Sequence, residues 1–345
     1  MYCKDVTPPS LRVPVPPTGG GGAASLHPLQ GIDGLFRRFV QASEASEPPG
    51  AGFSGSVGDD LVASVSSVHR SFDGGRWSYF HGVPKAPLRP YVTSFWELRG
   101  DFDFAVDRIL PSEDVALVVN LGAPQIVLSA TGERLDRDGA WIVGARTSPV
   151  TTISPPATWI CGVRLTNRGS FLGLRESPRS MLDSLTDLQC VRGRGAESLP
   201  DRLHHAAGPR ERFDMLGGTI LSWVEGAPDW DRSVQHALML MKRAGGLMPI
   251  AMLGEELGWS RQRLHRTFVA SVGMSPKRLS RLFRFRRAVD LIGFQGGVEL
   301  ADIAQQAGYH DQAHFSHEFR EFSAMSPGAY LKARLPDERR GFIRS

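Results

Sequence analysis

Nine cationic side chains lie within one short stretch of this chain that holds no carboxylate. The stretch from Ser260 to Arg287 reads SRQRLHRTFVASVGMSPKRLSRLFRFRR and contains eight arginines and one lysine. Solvated helix surfaces usually mix both signs of charge, so this run indicates an anionic partner. The phosphates of nucleic acid are such a partner, because Lys and Arg neutralise them and release counter-ions. The first hypothesis is therefore phosphate contact.

The overall charge is unevenly distributed along the chain. The 345 residues carry a formal charge of +4, but residues 229–345 hold 18 Lys and Arg against 12 Asp and Glu, which is +6. The remainder therefore carries 4 − 6 = −2. A basic C-terminal third beside a nearly neutral body again favours nucleic acid or an anionic surface as partner.

A repeat within that third shows which elements position the cations. The sequence PIAMLGEELGWSRQRLHRTF…GMSP recurs as ELADIAQQAGYHDQAHFSHEF…AMSP. Gly258 matches Gly308 at an offset of 50 residues, and one inserted residue then brings Phe268 to Phe319 at an offset of 51. Each copy predicts a helix, a turn at the glycine and a second helix.

The residues at the turns predict a helix-turn-helix in each copy. Gly258 and Gly308 come where the first helix ends, a position that glycine fills at low cost in the left-handed conformation. Ser260 and Asp311 are suitable N-caps for the second helix. This motif places its second helix in the major groove of DNA.

Helical periodicity then selects the side chains expected to face the DNA. Leu264 and Phe268 in the first copy, and Phe315 and Phe319 in the second, are i, i+4 pairs that point into the core. Gln pairs well with adenine and Arg with guanine. The DNA-binding residues predicted on the remaining faces and on the linking helix are Arg261, Gln262, Arg263, His265, Arg266, Arg284, Gln312, His314, His317 and Arg320. The other arginines of the linking helix are expected near the duplex backbone, except Arg287, which is expected to brace the two copies together.

These motifs resemble a known family. Two helix-turn-helix copies joined by a basic helix, with GYHDQAHFSHEFRE at 308–321 and SPGAYLKAR at 326–334, resemble the DNA-binding domain of AraC-type (AraC/XylS family) transcriptional regulators. The stretches LRPYVTSFWELRG, RILPSEDVALVVNLGAP and VGARTSPVTT are similar to the sensor domains of one branch of that family. The resemblance implies a cupin-like N-terminal domain that senses a ligand or mediates dimerisation. The long N-terminal extension departs from the family pattern.

The middle of the chain predicts a sheet of short strands. Between about Ser78 and Thr166, β-branched and aromatic runs such as VALVVNL alternate with Gly, Pro and Asp clusters, a pattern typical of an antiparallel sandwich or small barrel. The stretch 201–224 and everything after it predict helices. The fold class is therefore α+β, with a β-rich cupin-like domain followed by an all-α domain.

Four units are expected along the chain. Residues 1–72 are expected to form a largely disordered, low-complexity extension, since 1–25 are rich in Pro and Gly, although residues 32–40 have the spacing of a short amphipathic helix. Residues 73–190 then form the β-rich domain, 191–228 connecting helices, and 229–345 the double helix-turn-helix domain, with Asp231 capping its first helix.

The β-rich domain offers candidates for a ligand site. Trp96, Arg108, Asn120 and Arg164 are polar or amphipathic residues within apolar strands, and they either line a cavity or simply turn their polar ends to solvent. The expected partners are double-stranded DNA, a small-molecule effector, RNA polymerase and a second copy of the chain in a homodimer. No cofactor and no metal are expected.

Other functions fit the sequence less well. His310, His314 and His317 have a spacing that suits zinc, but Phe315 and Phe319 explain the same helix without a metal. The chain contains no G-x-S-x-G, H-E-x-x-H or Walker motif, which argues against an enzyme. An enzyme that uses the basic domain to reach DNA is the main alternative, and a protein that binds anionic protein or lipid is a third.

The remaining composition indicates a cytoplasmic protein. Cys3, Cys161 and Cys190 are odd in number and widely spaced, which argues against a disulfide framework and a cysteine zinc site. The first residues include Lys4 and Asp5 and then prolines and glycines, so no signal peptide is expected. No run of 18 apolar residues occurs, so no membrane contact is expected.

Overall fold

The computed structural model describes residues 60–334, except for 73–74, 103–104, 130–132, 175, 228–229 and 295–298. The Pro- and Gly-rich stretch at 1–25 and the short helix expected at 32–40 lie outside the described residues. Within them, antiparallel strands come first and helices follow, which confirms the α+β class.

The strands form two antiparallel sheets. The larger sheet has the order β1-β2-β3-β10-β5-β8-β11, and the smaller has the order β4-β9-β6-β7. This arrangement confirms the prediction of an antiparallel β-rich domain. The strands are β1 (Val62–Phe72), β2 (Gly75–Pro84), β3 (Val92–Phe102), β4 (Ala105–Ile109), β5 (Val115–Asn120), β6 (Gln125–Leu128), β7 (Arg134–Arg137), β8 (Ala140–Val143), β9 (Val150–Ser154), β10 (Thr158–Leu165) and β11 (Leu185–Asp187).

The larger sheet begins earlier than expected. Strand β1 occupies residues that the sequence assigned to the low-complexity extension 1–72, and it pairs with β2 along its length. Its sequence, VASVSSVHRSF, is rich in serine. An edge strand packs against only one neighbour, so it needs few large apolar residues. Val62 is nonetheless buried, and Val65 packs on the core.

Helices cover one face of the larger sheet. The segment expected to be helical at 201–224 forms two helices, α3 (Leu199–His204) and α4 (Pro209–Val224), because Gly208 and Pro209 interrupt the first and begin the second. Helix α4 packs across β1, β2, β3 and β10. Two shorter helices, α1 (Asn167–Leu174) and α2 (Leu188–Arg192), flank β11 in sequence.

A buried ion pair joins α4 to the sheet beneath it. Arg212 Nε donates to Glu97 Oε2 over 2.7 Å, and both side chains are at most 1% exposed. Trp159 Nε1 donates to the other carboxylate oxygen over 3.0 Å. A buried carboxylate needs such partners to offset its desolvation. The pair therefore fixes where α4 lies on the sheet.

The C-terminal part of the chain is entirely helical within the described residues. Asp231 accepts a hydrogen bond from the Ser233 backbone over 2.8 Å and thus caps the first of these helices, as predicted. The helices are α5 (Arg232–Arg243), α6 (Ile250–Glu256), α7 (Arg261–Val272), α8 (Pro276–Phe294), α9 (Leu300–Gln306), α10 (Gln312–Ser323) and α11 (Pro327–Arg334). Among the residues that the structure describes, no helix combines the length and apolar character needed to cross a membrane.

Candidate nucleic-acid interface

Two helix-turn-helix units are present, and their turns have the same geometry. The first unit consists of α6 and α7, and the second of α9 and α10. Gly258 and Gly308 have φ values of 61° and 80°. The next residues, Trp259 and Tyr309, donate backwards to the carbonyls of Gly254 and Ala304 over 2.8 and 2.9 Å. This is the Schellman closure of a helix C-terminus, and it requires the left-handed glycine.

The second helix of each unit begins at the predicted cap. Ser260 Oγ accepts from the Arg263 backbone N–H over 3.2 Å, and Asp311 Oδ1 accepts from the His314 backbone N–H over 2.7 Å. Because that hydrogen bond favours the carboxylate, it holds the pKa of Asp311 below its usual value, with further help from His310. We call α7 and α10 the first and second reading helices.

The first reading helix has one buried face and one polar face. Leu264 and Phe268 are almost fully buried, as the periodicity predicts. The side chain of Arg263 lies over Trp259, with Cζ 4.7 Å from the ring centroid, so the residue that fills the turn also restrains a cation. The exposed residues of this helix include Arg261, Gln262, Arg263, His265 and Arg266.

The second reading helix repeats this division with different residues. Phe315 and Phe319 are fully buried and contact each other at 5.5 Å between ring centroids. The ring of His314 packs edge-on against Tyr309, which fills the turn. The exposed residues of this helix include Gln312, His314, His317 and Arg320.

The two reading helices differ in charge. The first contains three arginines and no acidic residue, whereas the second contains Arg320 together with Glu318 and Glu321. Glu318 is buried against the linking helix α8, where Arg281 Nε donates to it over 2.6 Å. Arg281 also pairs with Glu321.

Arginines of the linking helix α8 contact other groups of the protein in this structure. Arg284, which we expected to contact the duplex, is only 20% exposed and pairs with Glu318 at 3.4 Å. Its guanidinium also lies 5.6 Å from the centroid of the Tyr309 ring. The physical reason is that α8 packs against α10, whose two carboxylates attract the arginines on the facing side. Arg284 is therefore a contact between helices in this structure.

Further basic residues of the linking helix make contacts inside the protein. Arg287 Nε donates to the Gln306 carbonyl over 2.9 Å and so braces the two units, as predicted. Arg286 donates to the Pro111 carbonyl over 3.0 Å, and Arg278 donates to the Thr147 hydroxyl, both in the β-rich domain. The basic stretch from Ser260 to Arg287 therefore also supplies contacts that join parts of the protein to each other.

Glu318 and Glu321 are the residues that the sequence reasoning missed. They lie three residues apart on α10, and Arg281 and Arg284 lie three residues apart on α8. The two glutamates and the two arginines carry opposite charges at the same spacing, and the repeat brings their helices together. This pattern could have predicted an ion pair between α8 and α10.

The four ligand candidates of the β-rich domain do not form one cluster. Trp96 and Arg164 lie on the same face of the larger sheet, since Trp96 pairs with Gly162 and side chains alternate along β10. The Asn120 amide donates to the Gly122 and Ala123 carbonyls and to Asp138, so it ties a loop. Arg108 is exposed on the smaller sheet.

Metal binding has no site among the described residues, where no group of three or more His, Cys, Asp or Glu side chains is placed to hold an ion. His310 instead pairs with Asp311 at 3.2 Å. Cys161 is buried in the core, which raises the pKa of its thiol, and Cys190 is exposed.

Comparison with known proteins covers both domains. Residues 253–333 match the model of a helix-turn-helix domain, and residues 81–187 match a domain of unknown function, DUF6597. No curated protein sequence matches the chain significantly.

Solved structures resemble the chain at low identity. ToxT from Vibrio cholerae is 13% identical over 66% of this chain and 97% of its own, with a TM-score of 0.41. The C-terminal domain of the response regulator AraT from Geobacillus stearothermophilus is 24% identical over 31% of this chain and 89% of its own, with a TM-score of 0.29. A transcriptional regulator from Chromobacterium violaceum, described as containing an AraC-type DNA-binding domain, is 22% identical over 31% of this chain and 95% of its own, with a TM-score of 0.28.

The assignment rests on the motifs, the geometry of the two units and the family model rather than on those structural scores. Two tandem units have matching glycine turns, matching N-caps and matching buried aromatic residues, and the helix-turn-helix model spans both of them. Residues 253–333 therefore form a tandem helix-turn-helix domain.

Proposed function

We propose that one chain binds an asymmetric DNA site sequence-specifically, with both reading helices in successive segments of the major groove, and thereby regulates transcription. The observation that carries this proposal is the pair of equally built units, each with a capped helix whose polar face is exposed. Such helices enter the groove about one turn apart, roughly 34 Å or 10 base pairs. Because the exposed residues of the two units differ, the two half-sites differ as well.

The first unit supplies most of the base-specific contacts in this proposal. Gln262 and Arg266 are exposed and suited to pair with adenine and guanine, and Arg261, Arg263 and His265 flank them. The second unit contributes Gln312, His314, His317 and Arg320, and it mainly fixes the position of the protein on the duplex. Arg284 has no direct contact with DNA in this assignment, because its guanidinium pairs with Glu318.

In vitro selection of bound DNA, followed by spacing variants of the selected site, tests the proposal. Full-length protein is expected to select two unequal half-sites about 10 base pairs apart. Inserting about 5 base pairs between them turns the half-sites to opposite faces of the duplex, and affinity should collapse. Unchanged affinity after that insertion would refute binding in two grooves.

The salt dependence of binding gives a second test. About five exposed cations (Arg261, Arg263, Arg266, Lys277 and Arg320) are available to phosphate, so log K should fall against log salt with a slope of roughly −4 to −5. A flat salt dependence would contradict phosphate contact.

The β-rich domain modulates this binding in our proposal, through a small-molecule effector. Trp96 and Arg164 share one face of the larger sheet, where an aromatic ring beside a cation suits an amphipathic or anionic ligand. A ligand screen by thermal shift tests this assignment. A ligand that stabilises the wild type and fails to stabilise Trp96→Ala supports it, and equal stabilisation of both proteins removes Trp96 from the site.

In our proposal, residues 229–345 form the DNA-binding domain. The protein binds DNA as a homodimer and contacts RNA polymerase. Sedimentation of the free protein and of its DNA complex tests the dimer, since a monomer in both would exclude it. Transcription assays with and without the selected site test the regulatory role.

A further inference from the structure

The second reading helix is held by an ionic cluster centred on one buried carboxylate. Glu318 lies on the inner side of α10 and is 2% exposed. Arg281 Nε lies 2.6 Å from its Oε2, and Arg284 Nη2 lies 3.4 Å from both carboxylate oxygens. We call Glu318, Arg281 and Arg284 the clamp. It joins the linking helix directly to the second reading helix.

The clamp supplies a directional constraint that the surrounding apolar contacts lack. Phe315, Phe319 and Phe322 bury their rings beside α8, but apolar burial is roughly proportional to area and sets no orientation. Hydrogen bonds between a guanidinium and a carboxylate depend on the direction of both groups. Rotating α10 about its axis, or sliding it along α8, would break these bonds while leaving apolar area buried.

The first unit differs at the corresponding position. The offset of 51 residues matches Glu318 to Thr267 and Glu321 to Ala270, so the acidic pair belongs to the second unit. The linking helix also contacts the β-rich domain, where its Arg278 and Arg286 donate to Thr147 and Pro111. The linking helix thus makes polar contacts with the second unit on one side and with the β-rich domain on the other.

We infer that Glu318 is a positioning residue for DNA recognition: through Arg281 and Arg284 it sets the orientation of the second reading helix and hence the half-site spacing that the protein accepts. The inference rests on the proposed binding in two grooves. Glu318 itself has no contact with DNA in this arrangement. Because Glu318 holds the two units in one fixed orientation, the protein binds half-sites at one spacing only.

The experiment compares two DNA sites that differ only in spacing. One site carries the selected half-sites at their selected spacing, and the other has 2 base pairs inserted between them. Glu318→Gln, which removes the carboxylate charge that holds both arginines, should reduce the affinity ratio between the two sites by about tenfold, as expected when the contacts of one half-site are no longer fixed. Affinity for a single first half-site should stay at the wild-type value.

Asp302→Asn is the matched control, because it also removes one negative charge from the second unit but from an exposed position on α9. It should keep the wild-type spacing preference. If Glu318→Gln does not fold, Arg284→Gln is measured in the same way, since it leaves Arg281 as the partner of Glu318 and should also weaken the preference.

The outcomes separate this inference from the proposed function. A folded Glu318→Gln or Arg284→Gln protein that keeps the full spacing preference overturns the inference, as does an equal loss in Asp302→Asn. A wild-type protein that shows no spacing preference overturns the proposed binding in two grooves instead.

Discussion

The first and second helix-turn-helix units have the same backbone design and opposite surface character. Both turn at a left-handed glycine, both fill the turn with an aromatic residue, and both begin the reading helix at a side-chain cap. The first reading helix bears only positive charge, whereas the second has two carboxylates neutralised by the linking helix. Turn, cap and buried aromatic residues therefore define the unit, and its remaining surface is free to differ.

The largest expected effect is the loss of stability when a buried side chain under either reading helix is truncated. Leu264→Ala should cost about 2–5 kcal/mol of unfolding free energy, and Phe319→Ala about 3–5 kcal/mol, because each leaves a cavity under a reading helix. Phe319 contacts the rings of Phe285, Phe315 and Tyr330, so its loss should be the greater. Chemical denaturation of both variants measures this, and a wild-type midpoint for either one would contradict its burial.

Matched positions on the two reading helices sharpen the functional comparison. Arg266 and His317 correspond at the offset of 51 residues. Arg266→Ala should lose about 1–3 kcal/mol of binding to the selected site and relax one base position. His317→Ala should lose less, since the second unit mainly positions the protein. Competition binding on sites with single base changes decides between them, and equal losses would show that both units read bases alike.

The linking helix offers a comparison between an exposed and an engaged cation. Lys277 is exposed, whereas Arg286 donates to the Pro111 carbonyl. Lys277→Ala should weaken binding to all sequences alike and reduce the salt slope by about 0.9, the value of one phosphate contact. Arg286→Ala should leave the slope unchanged in the intact chain. The reverse result would mean that the contact between the domains opens when DNA binds.

The smallest expected effect is the loss of the Asp311 helix cap at low pH. Hydrogen bonding to the His314 backbone keeps the pKa of Asp311 below its usual value of 3.8. The stabilisation is therefore fully present above that value and is lost as the pH falls through the lower, folded pKa. Ser260 does not titrate in this range, so acid should loosen the second reading helix at its start before the first. Hydrogen exchange of the backbone amides of His314 and Arg263 between about pH 5 and 2 measures the difference.

Asp311→Asn is the control for the pH effect, because asparagine also caps helices and carries no charge. Its first turn should be protected equally across that range. Acid-sensitive exchange in this variant would show that another group controls the start of the helix.

Local signals in the sequence were sufficient for the C-terminal domain. Contacts between residues close in sequence specify each unit. They involve the glycines at 258 and 308, the caps at 260 and 311, and the apolar pairs at i, i+4. The ion pair between Arg284 and Glu318 could not be predicted, because it depends on how two helices pack, which periodicity on one helix does not contain. Strand β1 was missed because an edge strand carries little apolar signal. Ligand binding by the four candidates of the β-rich domain remains a prediction. Their places in the sheets depend on the pairing of strands distant in sequence, which local patterns do not contain.

The contact between the two domains has a consequence for any truncated form of the protein. Arg278 and Arg286 donate to the β-rich domain, and Lys242 lies 3.8 Å from Glu113 there. Cutting the chain before residue 229 would remove the partners that these three cations have in the β-rich domain. Such a fragment would bind heparin, non-cognate DNA and cation-exchange resin more tightly than the whole chain, and its discrimination between DNA sequences would be correspondingly poorer. We therefore expect the β-rich domain to weaken non-specific binding by engaging these three cations.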